Sequence, residues 1–264
     1  MSFVPKMRYS VLVVLLGCLT ILGAQLVARS ALAATMVPFV GCVGDMDSPA
    51  PTGAPKSVEI DPSAGSSLAY YAGADWDPGA LAPRGWHCAV SVGSSGVSLE
   101  ILPPDTNCDS GSIINPRGYG VVYRSTDASG NWNPLDRKAW LFPDMAKREF
   151  AKLRSDPSTR DSVENPAKQH FGPYPGDNIK FVTGDTVKFS TSNRRSEIAD
   201  DCFAAFSGRV WGVARVSEDS FDLITFRLPP GFAKRAAALV DAAEVLAFER
   251  RDFGLFGPEG NGSP

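Results

Sequence analysis

Two apolar runs near the C-terminus, Val210–Ser217 and Ser220–Arg227, constrain the fold more than any other part of the chain. Turned at Glu218-Asp219, they pair Arg215 with Asp222, a favourable cross-strand contact. In that register Ala214, Val216, Phe221 and Leu223 share one face, and Trp211, Val213, Ile224 and Phe226 share the other. A strand pair apolar on both sides needs cover above and below, so it belongs in the centre of a sheet.

Two further hairpins are readable from side-chain alternation. Trp86–Val92 and Val97–Leu102 meet through Gly93-Ser94-Ser95-Gly96. Pairing Gly93 with Gly96 sets Val92 against Val97, Val90 against Leu99 and Cys88 against Ile101, all on one face. His87, Ser91, Ser98 and Glu100 fall on the other. Ile179–Val182 and Thr186–Phe189 turn through Thr183-Gly184-Asp185, which brings Ile179 and Phe181 opposite Phe189 and Val187. Lys180 and Lys188 then meet on a face expected to be solvated.

Helical periodicity predicts cover for these strands. Past Pro229-Pro230, a helix over Phe232–Arg250 gathers Phe232, Ala236, Leu239, Val240, Ala243, Leu246 and Ala247 into one stripe. A shorter helix over Pro143–Arg154 turns Met145, Ala146, Phe150 and Leu153 inward. Gly118–Arg124 and Ser57–Asp61 are expected to join the sheet. The predicted fold is α+β: an antiparallel β-sheet of hairpins with a C-terminal amphipathic helix and a short middle helix packed on it, both on one face.

The N-terminus reads as an address. Lys6 and Arg8 precede the apolar run Val11–Val27, and Ala31-Leu32-Ala33 follows, the three-part pattern of a secretory signal peptide over residues 1–33. An uncleaved anchor, or a lipoprotein leader ending at Cys18, are the rival readings. Residues 34–66, rich in Pro, Gly, Ser and Ala, are expected as an extended arm, residues 67–253 as a single α+β domain, and residues 254–264 as a disordered tail. The chain carries 26 basic and 29 acidic residues. Loss of the leader removes Lys6, Arg8 and Arg29 and makes the remainder more acidic still. With no basic run, this balance argues against nucleic acid as partner, and against a membrane surface once the leader is cleaved.

Of five cysteines, Cys42, Cys88, Cys108 and Cys202 lie beyond the leader. An even number in an exported chain suggests disulfides, with the pairing left open by sequence. Cys42–Cys88 with Cys108–Cys202 is the expected arrangement. Zinc would need closely spaced pairs or clustered histidines, and these cysteines are isolated. Asp45 and Asp47, or Asp200 and Asp201, lack the further oxygen ligands of a calcium loop. No metal and no cofactor are expected.

Candidate chemistry is sparse. Asp75-Trp76-Asp77 sets two carboxylates about an aromatic near Tyr70 and Tyr71, a composition suited to sugar binding or to acid–base glycoside hydrolysis. Turn chemistry alone explains Asp77-Pro78-Gly79, with Trp76 buried, and is the favoured reading. His87 and Glu100 are diagonal neighbours on the first hairpin, where a carboxylate could hold an imidazole as general base, or simply form a solvated pair. His170 sits in a Pro/Gly-rich stretch without an evident partner. Cys108-Asp109-Ser110-Gly111 looks like a protease nucleophile loop, but Cys108 stands where the oxyanion-loop glycine belongs, and a tethered turn suffices. Gly93-Ser94-Ser95-Gly96 lacks the strand-to-helix setting of a nucleophile elbow.

The stretch Ala82-Pro83-Arg84-Gly85-Trp86-His87-Cys88 followed by Gly93-Ser94-Ser95-Gly96 resembles a pattern in a group of uncharacterised exported bacterial proteins. Phe39-Val40-Gly41-Cys42, Tyr70-Tyr71 and Phe171-Gly172-Pro173-Tyr174-Pro175 are similar to the same group, which often has an aromatic where this chain has Ala89. The resemblance implies a bacterial, periplasmic setting and no activity. The function expected is a non-catalytic binding protein, periplasmic or secreted, whose partner is an envelope protein or cell-wall component met through an exposed aromatic patch (Trp76, Trp132, with Tyr70 and Tyr71) or a sheet edge. The alternative is a glycan-directed envelope hydrolase using Asp75, Asp77, His87 or Glu100.

Overall fold

Side-chain alternation organises the described residues around a central sheet with a core on each side. The computed structural model describes residues 34–44, 48–74, 79–93, 96–109, 112–114, 118–127, 135–160, 171–191, 208–217 and 220–248. The leader, Asp45, Asp47, Asp75, Trp76, Asp77, Ser110, Trp132, His170, Asp200, Asp201, Cys202 and the tail lie outside them.

In chain order the elements are β1 (Ala34–Val37), β2 (Phe39–Gly41), β3 (Val43–Gly44), β4 (Lys56–Glu59), α1 (Pro62–Gly65), β5 (Leu68–Ala72), β6 (Ala80–Pro83), β7 (His87–Gly93) and β8 (Gly96–Leu102). They continue with β9 (Asn107–Asp109), β10 (Ser112–Ile114), β11 (Gly120–Asp127), α2 (Leu135–Leu141), α3 (Pro143–Ser155), β12 (Asn178–Phe181) and β13 (Thr186–Ser190). The last elements among the described residues are β14 (Trp211–Val216), β15 (Ser220–Arg227), α4 (Pro230–Ala233) and α5 (Ala236–Phe248). The main sheet runs β12-β13-β14-β15-β11-β8-β7-β3, with a smaller sheet β2-β5-β6 beside it.

All three predicted hairpins have the expected registers. Arg215 faces Asp222, Val90 faces Leu99, and Phe181 faces Val187. β14 and β15 lie inside the sheet, as their two apolar faces require. Val213, Ile224 and Phe226 enter one core with Leu239 and Leu246 of α5 and with Tyr70, Tyr71 and Leu81 of the smaller sheet. Ala214, Val216, Phe221 and Leu223 enter a second core with Trp140, Leu141 and Phe142. Helices therefore cover both faces of the sheet rather than one. The second cover is α2, which the sequence reading missed, since its seven residues are too short to display a clear period.

Gly212 is required by packing. The Phe189 ring lies over it from β13, so that a Cβ would come within 2.3 Å of Phe189 Cζ and 2.4 Å of the Ile224 carbonyl oxygen.

Other expectations change. The described part of residues 34–66 is no loose arm. β1 pairs with β4 and β2 runs parallel to β5, and Val37, Cys42, Val58, Ile60 and Ala64 are buried in the main core. The stretch Ser57–Asp61 thus serves a local two-stranded sheet, and Asp61 caps α1 by accepting from the Ser63 amide at 2.8 Å. The strand expected over Gly118–Arg124 is β11, shifted toward the C-terminus. The single helix expected over Phe232–Arg250 is interrupted at Lys234-Arg235, where the Arg235 guanidinium bonds the Ser67 hydroxyl at 3.1 Å. Val92 projects past the core at the hairpin tip and is 63% exposed.

Cys42 and Cys88 are disulfide-bonded, with Cα atoms 5.1 Å apart. The bridge ties the segment between β2 and β3 to the start of β7, and β3 pairs with β7 immediately beyond it. Among the described residues no helix is long and apolar enough to cross a membrane.

Candidate functional site: the β12 edge and the groove under α5

Hydrogen-bond parity shows which backbone groups β12 leaves outward. The Val182 amide donates to the Thr186 carbonyl at 2.9 Å, and Lys180 stands opposite Lys188 two residues earlier. On the far side of β13, the Thr191 amide donates to Val210 at 2.8 Å and the Val216 amide to Asp185 at 2.9 Å. Even-numbered residues of β13 therefore bond β12, and odd-numbered ones bond β14. On β12 it follows that Asn178, Lys180 and Val182 pair inward, whereas the N–H and C=O of Ile179 and Phe181 point away from the sheet.

Both ends of this strand are held. Just before it, Asp177 accepts from Trp140 Nε1 at 2.8 Å. Just after it, Asp185 accepts from the hydroxyls of Thr183 and Thr186, the second at 3.1 Å. Those hydroxyl bonds, that from Thr183 foremost, hold the Asp185 carboxyl below its ordinary range. On the α2 side of the strand, Phe181 is 53% exposed and meets Phe142 edge-on at 6.1 Å between ring centres.

On the opposite face, a groove of about 400 Å³ opens between the sheet and α5. Lys180, Lys188, Asn178, Ser190 and Trp211 line it from the sheet, and Ala237, Val240 and Asp241 from the helix. Lys188 bonds Asp241 at 2.6 Å and also Glu244, one turn further along α5. On the face expected to be solvated, Lys180 is exposed, whereas Lys188 is partly covered by Asp241 and Glu244 of α5. Burial alone would lower the Lys188 pKa, but its bonds to Asp241 and Glu244 outweigh that and raise it. Arg215 fixes the far end of α5 by donating to the Phe248 carbonyl at 2.9 Å.

Of the aromatic candidates, Tyr70 and Tyr71 lie among the described residues. Tyr70 is 1% and Tyr71 0% exposed, so neither presents a ring for stacking on a ligand. Their hydroxyls serve the backbone: Tyr71 donates to the Pro83 carbonyl at 2.7 Å, and Tyr70 accepts from the Gly79 amide at 2.7 Å. Burial raises the Tyr71 pKa, opposed by the Trp86 and Gly85 amides. His87 is exposed opposite Leu102, and Glu100 is half-buried opposite Ala89, the diagonal placement expected. Asp75, Trp76 and Asp77 fall outside the described residues, as does the proposed partner of Cys108.

The β12 edge and the groove were not singled out from sequence. The signals were present in Lys180 and Lys188 on one face and Phe181 on the other. Sheet order, which makes β12 terminal among the described residues, is not local information.

Compared with known proteins, the chain matches no family model, no curated protein and no solved structure.

Proposed function

We propose that this chain is a non-catalytic binding protein of an exported, oxidising compartment, and that it takes an extended polypeptide segment as an added strand along β12. The observation that carries this assignment is the pair of outward backbone positions, Ile179 and Phe181, on a strand that ends the main sheet among the described residues. Natural sheets blunt long apolar edges. β12 is short and carries Lys180, yet it leaves Phe181 and Val182 exposed on the strand and at its end. Strand addition draws affinity from backbone bonds and specificity from alternate side chains, and the two faces of β12 offer different surroundings for those side chains. A strand fastened at both ends needs little ordering on binding, which favours affinity. The leader pattern and the Cys42–Cys88 bond support the compartment.

The test is site-specific photocrosslinking in the native compartment. A photoreactive residue at position 181 gives a discrete protein adduct, and Ile179→Pro, which blocks the outward edge, removes it. The same residue at the exposed position Val245 on α5 gives none. An adduct at 181 that survives Ile179→Pro, or equal labelling from both positions, rejects the assignment.

A further inference from the structure

The charges beside β12 indicate what the docked segment carries. Lys180 and Lys188 stand directly opposite each other, and like charges in that position repel unless neutralised. Lys188 has its counter-ions in Asp241 and Glu244. Among the described residues, the Lys180 ammonium has no partner. The Asn178 amide, two residues earlier on the same face of β12, is also without a side-chain partner there. Both groups are donors, and the groove's one carboxylate, Asp241, already accepts from Lys188. Such a set is complementary to a carboxylate, which accepts through both oxygens.

Strand parity locates that carboxylate. A segment bonded to Ile179 and Phe181 places its intervening residue opposite Lys180 in a non-hydrogen-bonded pair, where side chains approach most closely, at a Cα separation of about 4.5 Å. Its flanking residues turn to the other face, toward Ile179, Phe181 and Phe142.

We infer that the segment received by β12 carries an aspartate or glutamate opposite Lys180, with an apolar residue on each side of it. This rests on the assignment of β12 as a docking edge, and the experiment separates the two. Random linear peptides displayed on phage are selected in parallel on the wild-type protein, Lys180→Glu and Phe181→Pro. Wild type is expected to enrich an apolar–acidic–apolar triplet. Replacing the acid by alanine in a selected peptide weakens binding roughly two- to fivefold. Lys180→Glu is expected to enrich lysine or arginine at the same position, and Phe181→Pro to enrich nothing. An unchanged acidic preference on Lys180→Glu overturns the inference while leaving the docking edge intact. Enrichment of the same peptides on Phe181→Pro, or none on wild type, overturns the docking edge itself. A concentration-dependent dimer that Phe181→Pro abolishes makes a second copy the occupant and overturns the inference.

Discussion

Proline at two adjacent positions of β12 should have unequal consequences for stability. The Lys180 amide faces β13, so Lys180→Pro removes a ladder bond to Lys188. The lost bond is worth about 1 kcal/mol net, and the Lys188 carbonyl left behind inside the sheet adds about 1–3 kcal/mol, for roughly 2–4 kcal/mol in all. The Phe181 amide faces outward, so Phe181→Pro breaks no bond, and an edge strand accepts such a proline. With 53% of Phe181 already exposed, losing the remaining ring contact costs about 1 kcal/mol. Restriction of the unfolded chain returns about 0.4–1 kcal/mol in either proline variant and cancels between them. The two variants should therefore differ by about 1–3 kcal/mol, several degrees in Tm for a domain of this size. Denaturant unfolding of residues 34–264 with the disulfide intact measures the difference, and Phe181→Ala isolates the ring contact. Equal losses, or a larger loss for Phe181→Pro, would refute the parity that makes β12 a docking edge.

Other expectations follow from the same contacts. Lys188→Met strands Asp241 and Glu244 without their cation, at a cost of about 1–2 kcal/mol at neutral pH, between the values for exposed and buried pairs. Because the folded Lys188 pKa is raised, the stabilisation it brings is complete below the ordinary lysine pKa and is lost as pH rises through the folded value. The wild-type minus Lys188→Met difference in unfolding free energy should accordingly hold at neutral pH and shrink in strong alkali. Replacing Cys42 and Cys88 together by serine opens a link between residues 46 apart and lowers stability by about 2–4 kcal/mol, read by comparing Cm of the variant and the oxidised protein. Gly212→Ala drives a methyl group into Phe189 and the Ile224 carbonyl and costs about 1–3 kcal/mol, visible as a lower Tm with an unchanged far-ultraviolet spectrum.

The legible parts of this fold are those whose physics is local. Each hairpin register follows from period-two alternation across a short turn, and a one-residue slip would have moved Val90 or Phe189 to the wrong face. The stripe on α5 follows from helical period, and Cys42–Cys88 joined two cysteines whose elements proved to be neighbours. The hidden parts depend on distant partners. Val37, Val58 and Ile60 are spaced among Pro, Gly and Ser, so composition suggests a loose arm, yet their burial comes from strands and a helix elsewhere in the chain. Lys188 reads as solvent-facing until Asp241, 53 residues away in sequence, is brought over it. Tyr70 and Tyr71 read as ligand aromatics because nothing in the sequence reveals that Gly79 and Pro83 use their hydroxyls. The candidate site was the least legible feature, since a strand is an edge only by virtue of the order of the sheet.

The most direct test of the docking edge is amide hydrogen exchange at four consecutive residues, Ile179, Lys180, Phe181 and Val182, with and without a selected peptide. The free protein should show Lys180 and Val182 protected and Ile179 and Phe181 exchanging fast. Bound peptide should slow Ile179 and Phe181 and leave Lys180 and Val182 as they were. Peptide binding that leaves Ile179 and Phe181 fast while protecting amides elsewhere would contradict strand addition at β12.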